Sequence, residues 1–234
     1  MQVARLRASG VSLRYGKQEI LRGLEFAATG GRVIGVLGPS GAGKSSLFKV
    51  LVGDEQLSSG SVHLDGVDVT ELPLWKRARL GMSYLPQEPS VLFGCTVRQN
   101  ITTFERALGS RKRAGRRDWL AEFGLEGQAA TPVDDLSGGE RRRVELIRTL
   151  LPEASTYLLD EPFAGLDPSR VERIGAIVRG EAARGALVLL SDHRIGDVMS
   201  LCDEAWLLVD GRISLQTDPA TFVDHPVVRA RYLQ

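Results

Sequence analysis

Apolar positions follow two different rhythms along this chain, and the change of rhythm divides it. At the front, Val3 to Arg14 alternates loosely and breaks at Gly10, which predicts two short strands joined by a turn. Leu24 to Ala27 reads as another strand. Gly30-Gly31 reads as a tight turn into Arg32–Leu37, a short strand apolar on both faces. Ser46 to Val52 reads as a helix. Ser58-Ser59-Gly60 turns into the alternating Ser61–Leu64, and Asp65-Gly66 closes a small hairpin. Leu80 to Leu85 ends in a strand, Ser83–Leu85, that stops at Pro86. The middle is helical, with helices expected over Thr96–Ala107, Asp118–Phe123 and Arg141–Leu151. Past Leu136 strands and helices alternate. Strands are expected at Thr156–Leu159, Ala186–Leu190 and Ala205–Val209, and helices at Ser169–Arg184 and Ile195–Cys202. Asp210-Gly211 then turns into Ile213–Leu215, and Thr217 to Gln234 reads as a short helix and a tail. Strands alternating with helices predict an α/β fold with a mostly parallel sheet covered on both faces, joined to antiparallel strands at the front.

At 234 residues the chain makes one large domain, or a domain with subdomains, and can bury a real core. The net charge of +1 gives no reason to expect nucleic acid or an acidic membrane surface as the main partner. Cys95 and Cys202 form no metal or redox pattern, suit a reducing compartment and read as packing residues. The first residues lack the pattern of a signal peptide. The longest apolar runs, such as Ala186–Leu190, fall far short of the ~18 residues of a spanning helix. A soluble chain is expected, working on any membrane through a partner. The basic run Arg111–Arg117 reads as a solvated loop or helix face, with contact to anionic lipid or to an acidic partner loop as the alternative.

The chemistry centres on Gly38-Pro39-Ser40-Gly41-Ala42-Gly43-Lys44-Ser45. This is G-x-x-x-x-G-K-S/T between a strand and a helix, the context in which such a loop binds phosphate. The glycines let backbone N–H groups turn inward, and the helix that begins with Ser46 adds the positive end of its dipole. Lys44 is expected on the β- and γ-phosphates and the Ser45 hydroxyl on Mg²⁺. Thr156–Leu159 is an apolar strand running into Asp160 and Glu161. Asp160 fits the carboxylate that helps hold Mg²⁺, and Glu161, one residue on, points differently and suits a general base acting on water. Two acids at a strand end are costly without a metal or partner. Gln87, after Pro86 at the end of a strand, is placed to touch a metal or a water, though alone it reads as a loop amide. His193 ends the strand after that of Asp160 and suits a γ-phosphate sensor. Tyr15, on a turn, could stack on an adenine ring or be an ordinary half-buried tyrosine. Leu136-Ser137-Gly138-Gly139-Glu140 precedes a helix. Ser137 is a plausible N-cap, and the glycine pair exposes N–H groups as a second anion site. A second copy of the chain about a two-fold axis would bring that site to the first loop; the alternative is a plain capping motif, with Arg141, Arg142 and Arg143 on the helix surface.

Together these residues resemble the nucleotide-binding subunit of ABC transporters over nearly the whole chain. Tyr15 is similar to the A-loop, Gly38–Ser45 to Walker A, Gln87 to the Q-loop and Leu136–Glu140 to the signature. Asp160 and Glu161 resemble Walker B and its catalytic glutamate, Ala164–Asp167 the D-loop and His193 the H-loop. Walker A alone is widespread; Walker A, LSGGE and Walker B in this order are highly specific. The resemblance implies a RecA-like P-loop core with an antiparallel β subdomain over residues 1–87 and 152–216, a helical subdomain over 88–151 and a C-terminal helix and tail over 217–234. It implies ATP and Mg²⁺ as cofactors, a second ATPase chain, expected as a homodimer that sandwiches ATP between one chain's Walker A and the other's signature, and integral membrane permease subunits gripped by the helical part. It implies no nucleic acid, and a place on the cytoplasmic face of the inner membrane.

A narrower resemblance, to the lipopolysaccharide-export ATPase, rests on Trp75–Gly81, Leu85–Glu88, Glu140–Glu145, Glu161–Gly165 and His225–Leu233. That family is also similar to branched-chain amino-acid importer ATPases. Ser40, Ser45 and Ser46 stand where Asn, Thr and Thr are usual, Ser191 where Thr is usual, and Val91–Cys95 departs from the family pattern in the region expected to meet the membrane partner. These changes leave the chemistry intact and bear on the transported substrate. A non-transport ABC protein would bring a long coiled coil or a second Walker A, and a P-loop kinase has no use for LSGGE; the chain has neither a sustained heptad nor a second loop.

Overall fold

The computed structural model describes residues 4–108 and 117–233. The basic run therefore lies outside the described residues except for Arg117. A four-stranded antiparallel sheet has the order β2-β1-β4-β5, from β1 (Leu6–Tyr15), β2 (Gln18–Ala28), β4 (Ser59–Leu64) and β5 (Val67–Asp68). A six-stranded sheet has the order β10-β9-β3-β8-β7-β6. Its strands are β3 (Arg32–Leu37), β6 (Met82–Leu85), β7 (Thr156–Asp160), β8 (Leu187–Ser191), β9 (Glu204–Val209) and the antiparallel edge strand β10 (Arg212–Thr217).

The central strands are apolar on both faces because both faces are covered, and the period of two sorts their side chains. Val33 and Leu37 of β3, Tyr157 and Leu159 of β7, and Val188 and Leu190 of β8 enter one core. Ile34 and Val36, Leu158, and Leu187 and Leu189 enter the other. The second core holds α1 (Lys44–Val52) and the antiparallel sheet. The first holds α3 (Val97–Leu108), α4 (Trp119–Phe123), α5 (Gly138–Leu150), α6 (Pro168–Ala183), α7 (Ile195–Leu201), α8 (Pro219–Asp224) and α9 (Pro226–Arg231). One more helix, α2 (Leu74–Arg79), leads into β6. Among the described residues no helix is long and apolar enough to cross a membrane.

Three expectations are corrected. Val3 to Arg14 is not two strands with a turn at Gly10: β1 runs on to Tyr15, and the break is a register shift between Ala8 and Val11 in its pairing with β2. Gly10, at φ 62°, absorbs the extra residue as a bulge without ending the strand. Ser169 does not start α6; Asp167 caps it through Arg170 N–H, and Pro168 takes the first turn, where its missing donor costs nothing. The C-terminal segment carries two short helices rather than one, each opening on a proline.

Candidate functional site

The phosphate-type loop lies where β3 ends and α1 begins, at the carboxyl edge of the parallel strands. Gly38 has φ 156°, and a Cβ there would stand 2.0 Å from the Leu208 carbonyl oxygen on β9, so only glycine lets the chain pass. Lys44 lies across the loop, its ammonium donating to the Gly38 and Pro39 carbonyls at 2.7 and 3.0 Å. Burial pushes its pKa below the ordinary lysine value, and the nearby Asp160 and Glu161 carboxylates oppose that shift. Ser40 and Gly41 are exposed at the loop's tip, Ala42 is buried, and Ser45 and Ser46 start the helix half-buried.

The structure gathers most of the predicted residues from four separate stretches. The Ser45 hydroxyl donates to Gln87 Oε1 at 3.4 Å, and Gln87 Nε2 donates to Glu161 Oε1 at 2.9 Å. His193 Nε2 lies 2.9 Å from the same Glu161 oxygen. Glu161 is the first residue past β7 and has φ 52°, a left-handed conformation rare outside glycine. Its N–H donates to the Ser191 carbonyl at 2.7 Å, which holds that turn and sends the side chain towards Gln87 and His193. Asp160, 1% exposed, accepts from the Ser191 hydroxyl through Oδ1, while its Oδ2 is buried with no hydrogen-bond partner among the described residues. An orphaned carboxylate oxygen, a serine hydroxyl and an amide oxygen are together the types of donor that suit a hard cation and its waters.

Tyr15 is 47% exposed at the end of β1, its ring open to solvent. Its hydroxyl faces Glu55 and Ser46, and partial burial with the Glu55 carboxylate pushes the phenol up to about 12. Ser137 to Glu140 form a complete capping box: Ser137 Oγ accepts from Glu140 N–H at 3.3 Å, and Glu140 Oε2 accepts from Ser137 N–H at 2.9 Å. Gly138 is exposed. Gly139 packs on the loop after β7, where a Cβ would stand 2.5 Å from the Gly165 carbonyl oxygen. Gly139 thus lies against Gly165 and Leu166 of that loop.

The placing of Arg142 and Arg143 on the helix surface, which went with the alternative capping reading, is overturned: both are buried. Arg142 donates to the Pro86 carbonyl at 2.8 Å, to the Glu161 carbonyl at 3.1 Å and to the Asp160 carbonyl, and pairs with buried Glu145 at 2.8 Å. Arg143 donates to the Phe123 and Gly124 carbonyls at 2.7 and 2.8 Å, where α4 ends. The other oxygen of Glu145 accepts from Ser90 N–H at 2.6 Å. Asn100 and Arg148 bind the same loop at Leu92 and Ser90. Sequence reasoning gave none of these residues a buried bonding role. The only signal was that three consecutive arginines cannot all face solvent on a helix that is otherwise packed.

A family model described as "ABC transporter" matches residues 21–164. The chain is 40% identical to a protein of Azorhizobium caulinodans named "Probable ABC transporter ATP-binding protein", over 97% of this chain and 82% of that one. It is 37% identical to the "Lipopolysaccharide export system ATP-binding protein LptB" of Acidithiobacillus ferridurans, over 97% of this chain and 96% of that one. Among solved structures, a "Structure of ATP binding subunit of ABC transporter" superposes with a TM-score of 0.85 at 25% identity, covering 97% of this chain and 95% of that one. The sheet order, the strand–loop–helix and the matched family agree: this chain belongs to the ABC transporter family, as an ATPase subunit.

Proposed function

We propose that this ATPase drives export of lipopolysaccharide or a related lipid, as a homodimer seated on membrane permease subunits. The substrate class rests on the similarity to relatives named for lipopolysaccharide export, which runs the length of the chain at 37 and 33% identity. The generic names of more similar relatives leave another ABC transporter, such as a branched-chain amino-acid type, as the second reading.

In this reading Lys44 and the loop amides bind the β- and γ-phosphates. Glu161 orients or deprotonates the attacking water, and His193 and Gln87 contact the γ-phosphate and the metal side of the site. The observation that carries it is the single Glu161 oxygen shared by Gln87 and His193, because it aims three groups at one place beside Ser45. Ser45, Gln87 and Asp160 would hold Mg²⁺, which neutralises charge on the transferring phosphoryl group when bound. Tyr15 stacks on the adenine. Ser137, Gly138 and Gly139 serve the ATP of a second copy. Residues 88–151 act as the helical subdomain that meets the permease, on the cytoplasmic face of the membrane.

The test is a pull-down of tagged Glu161→Gln protein with ATP and Mg²⁺ from detergent-solubilised membranes of the source cell, read by mass spectrometry. The expected result is permease subunits of the lipopolysaccharide-export type. An amino-acid permease would keep the ATPase and replace the substrate. Soluble repair or ribosomal partners, with no membrane protein, would overturn the transport reading for this chain.

A further inference from the structure

Beyond the residues assigned to nucleotide, two side chains join two loops that carry parts of the candidate site. Loop Pro162–Asp167 follows Glu161, and loop Asp192–Arg194 carries His193. They leave adjacent parallel strands, paired as far as Asp160 with Ser191. Past that point one main-chain bond, from Glu161 N–H to the Ser191 carbonyl, still joins them, and the crossings farther along the loops are made by side chains. Asp192, 4% exposed, takes the first crossing: its Oδ2 accepts from Phe163 N–H and its Oδ1 from Arg194 N–H, both at 3.0 Å. Arg194 takes the second. Its Nη1 donates to the Leu166 carbonyl at 2.8 Å, while its Nε sits 2.6 Å from Asp197 on α7.

We propose that Arg194 is a positioning residue for ATP hydrolysis, a clamp that holds the loop from Glu161 to Asp167 at a fixed distance from His193. The chemistry requires arginine. Its planar fork offers Nε to the carboxylate and Nη1 to the carbonyl at once, so one side chain fixes both loops to α7. The far end of the clamped loop is the part that meets Gly139: Leu166 is bonded to Arg194, and the neighbouring Gly165 carbonyl lies against the signature-like glycine. A shift of this loop would therefore move Glu161 relative to His193 at one end and Gly139 at the other. Arg194 itself touches neither the phosphate-type loop nor Glu161, so its effect runs through position alone. The inference rests on the assignment of Glu161 and His193 to the hydrolytic site.

The test compares the full-length chain with Arg194→Met and Arg194→Lys, and with Glu161→Gln in parallel. For Arg194→Met we expect kcat to fall about tenfold with KM for Mg·ATP within about twofold, the split that follows when groups acting in the transition state are displaced while binding groups are not. Arg194→Lys, which keeps one donor, recovers at least about a third of the lost rate. Amide hydrogen exchange rises in Phe163–Asp167 of Arg194→Met and stays unchanged in β7 and β8, which separates loosening of one loop from loss of the fold. Wild-type kcat in Arg194→Met overturns the proposal, as does a loss of rate accompanied by faster exchange throughout the sheet. If Glu161→Gln turns ATP over at the wild-type rate, the site assignment itself fails, whereas loss there with full activity in Arg194→Met overturns only the clamp.

Discussion

Replacing Arg142 with methionine removes one buried cation and leaves one buried anion. Glu145 is 3% exposed and holds Arg142 at 2.8 Å through one oxygen and Ser90 N–H at 2.6 Å through the other. Breaking a buried pair from one side costs about 3–5 kcal/mol, chiefly because the remaining charge is uncompensated. The carbonyls of Pro86, Asp160 and Glu161 also lose their charged donor. Against a total stability of about 5–15 kcal/mol the variant should still fold. With a urea slope of roughly 2–3 kcal/mol per molar, the unfolding midpoint should drop by about 1–2 M. Arg142→Met with Glu145→Gln separates the causes. Removing the stranded charge should return about 1–2 kcal/mol, leaving the cost of the unpaired carbonyls. The assay is equilibrium urea unfolding of the wild type, both single variants and the double variant, with ATP turnover measured on each. A cost below about 1 kcal/mol for Arg142→Met would mean that Glu145 reaches water once its partner is gone, and would refute the argument from burial.

Gly38→Ala should abolish Mg·ATP binding measured by calorimetry, because its methyl would stand 2.0 Å from the Leu208 carbonyl oxygen and push the loop off β9. Tyr15→Ala should weaken ATP about tenfold and Tyr15→Phe hardly at all, since ring stacking on a base contributes about 1–3 kcal/mol and the hydroxyl is turned to Glu55. Ser137→Ala should cost about 1 kcal/mol in thermal unfolding by removing one half of the capping box. The Ser137 hydroxyl and N–H hold the Glu140 carboxyl below the usual carboxylate range. A depressed folded pKa gives stability that is complete above the ordinary value, near 4.5, and is lost as pH falls through the folded one. Glu140→Gln should therefore flatten the acid limb of the stability profile below that pH, and an unchanged limb would exclude the cap as its source.

The elements whose burial follows a period were legible from the chain alone. The buried strands β3, β7 and β8 and the helices α1, α3, α4, α5 and α6 lie within three residues of their expected ends, because a periodic apolar run bounded by turn residues has few other solutions, whereas the short helix α2 was not foreseen. The candidate site was legible where chemistry demands residue type and spacing together, as in Gly38–Ser45 and the paired acids at the end of β7. What could not be read was geometry set by tertiary contact. Glu161 has a left-handed backbone that its own side chain disfavours, and the Ser191 carbonyl that holds it comes from a strand 30 residues away. The bulge at Gly10 looked like a turn because both need a positive φ, and only pairing with β2 and β4 distinguishes them.

The largest gap was the arginines, and its cause lies in the partners they bind. Arg142, Arg143 and Arg194 all donate to main-chain carbonyls: those of Pro86, Asp160 and Glu161, of Phe123 and Gly124, and of Leu166. A carbonyl is present at every position, so such a contact leaves no mark on the partner's sequence and no motif to find. It also makes the contact depend on where the backbone runs rather than on which side chain stands there. Two of these arginines lie on α5, which starts at the signature-like glycines, and they reach the ends of β6 and β7 and the end of α4. A rigid rotation of α5 would thus pull on the Glu161 carbonyl directly. Under the proposed reading, in which a second chain docks at Gly138-Gly139, bonds of this kind would give a mechanical path from that surface to Glu161 without adding a charge to the site itself.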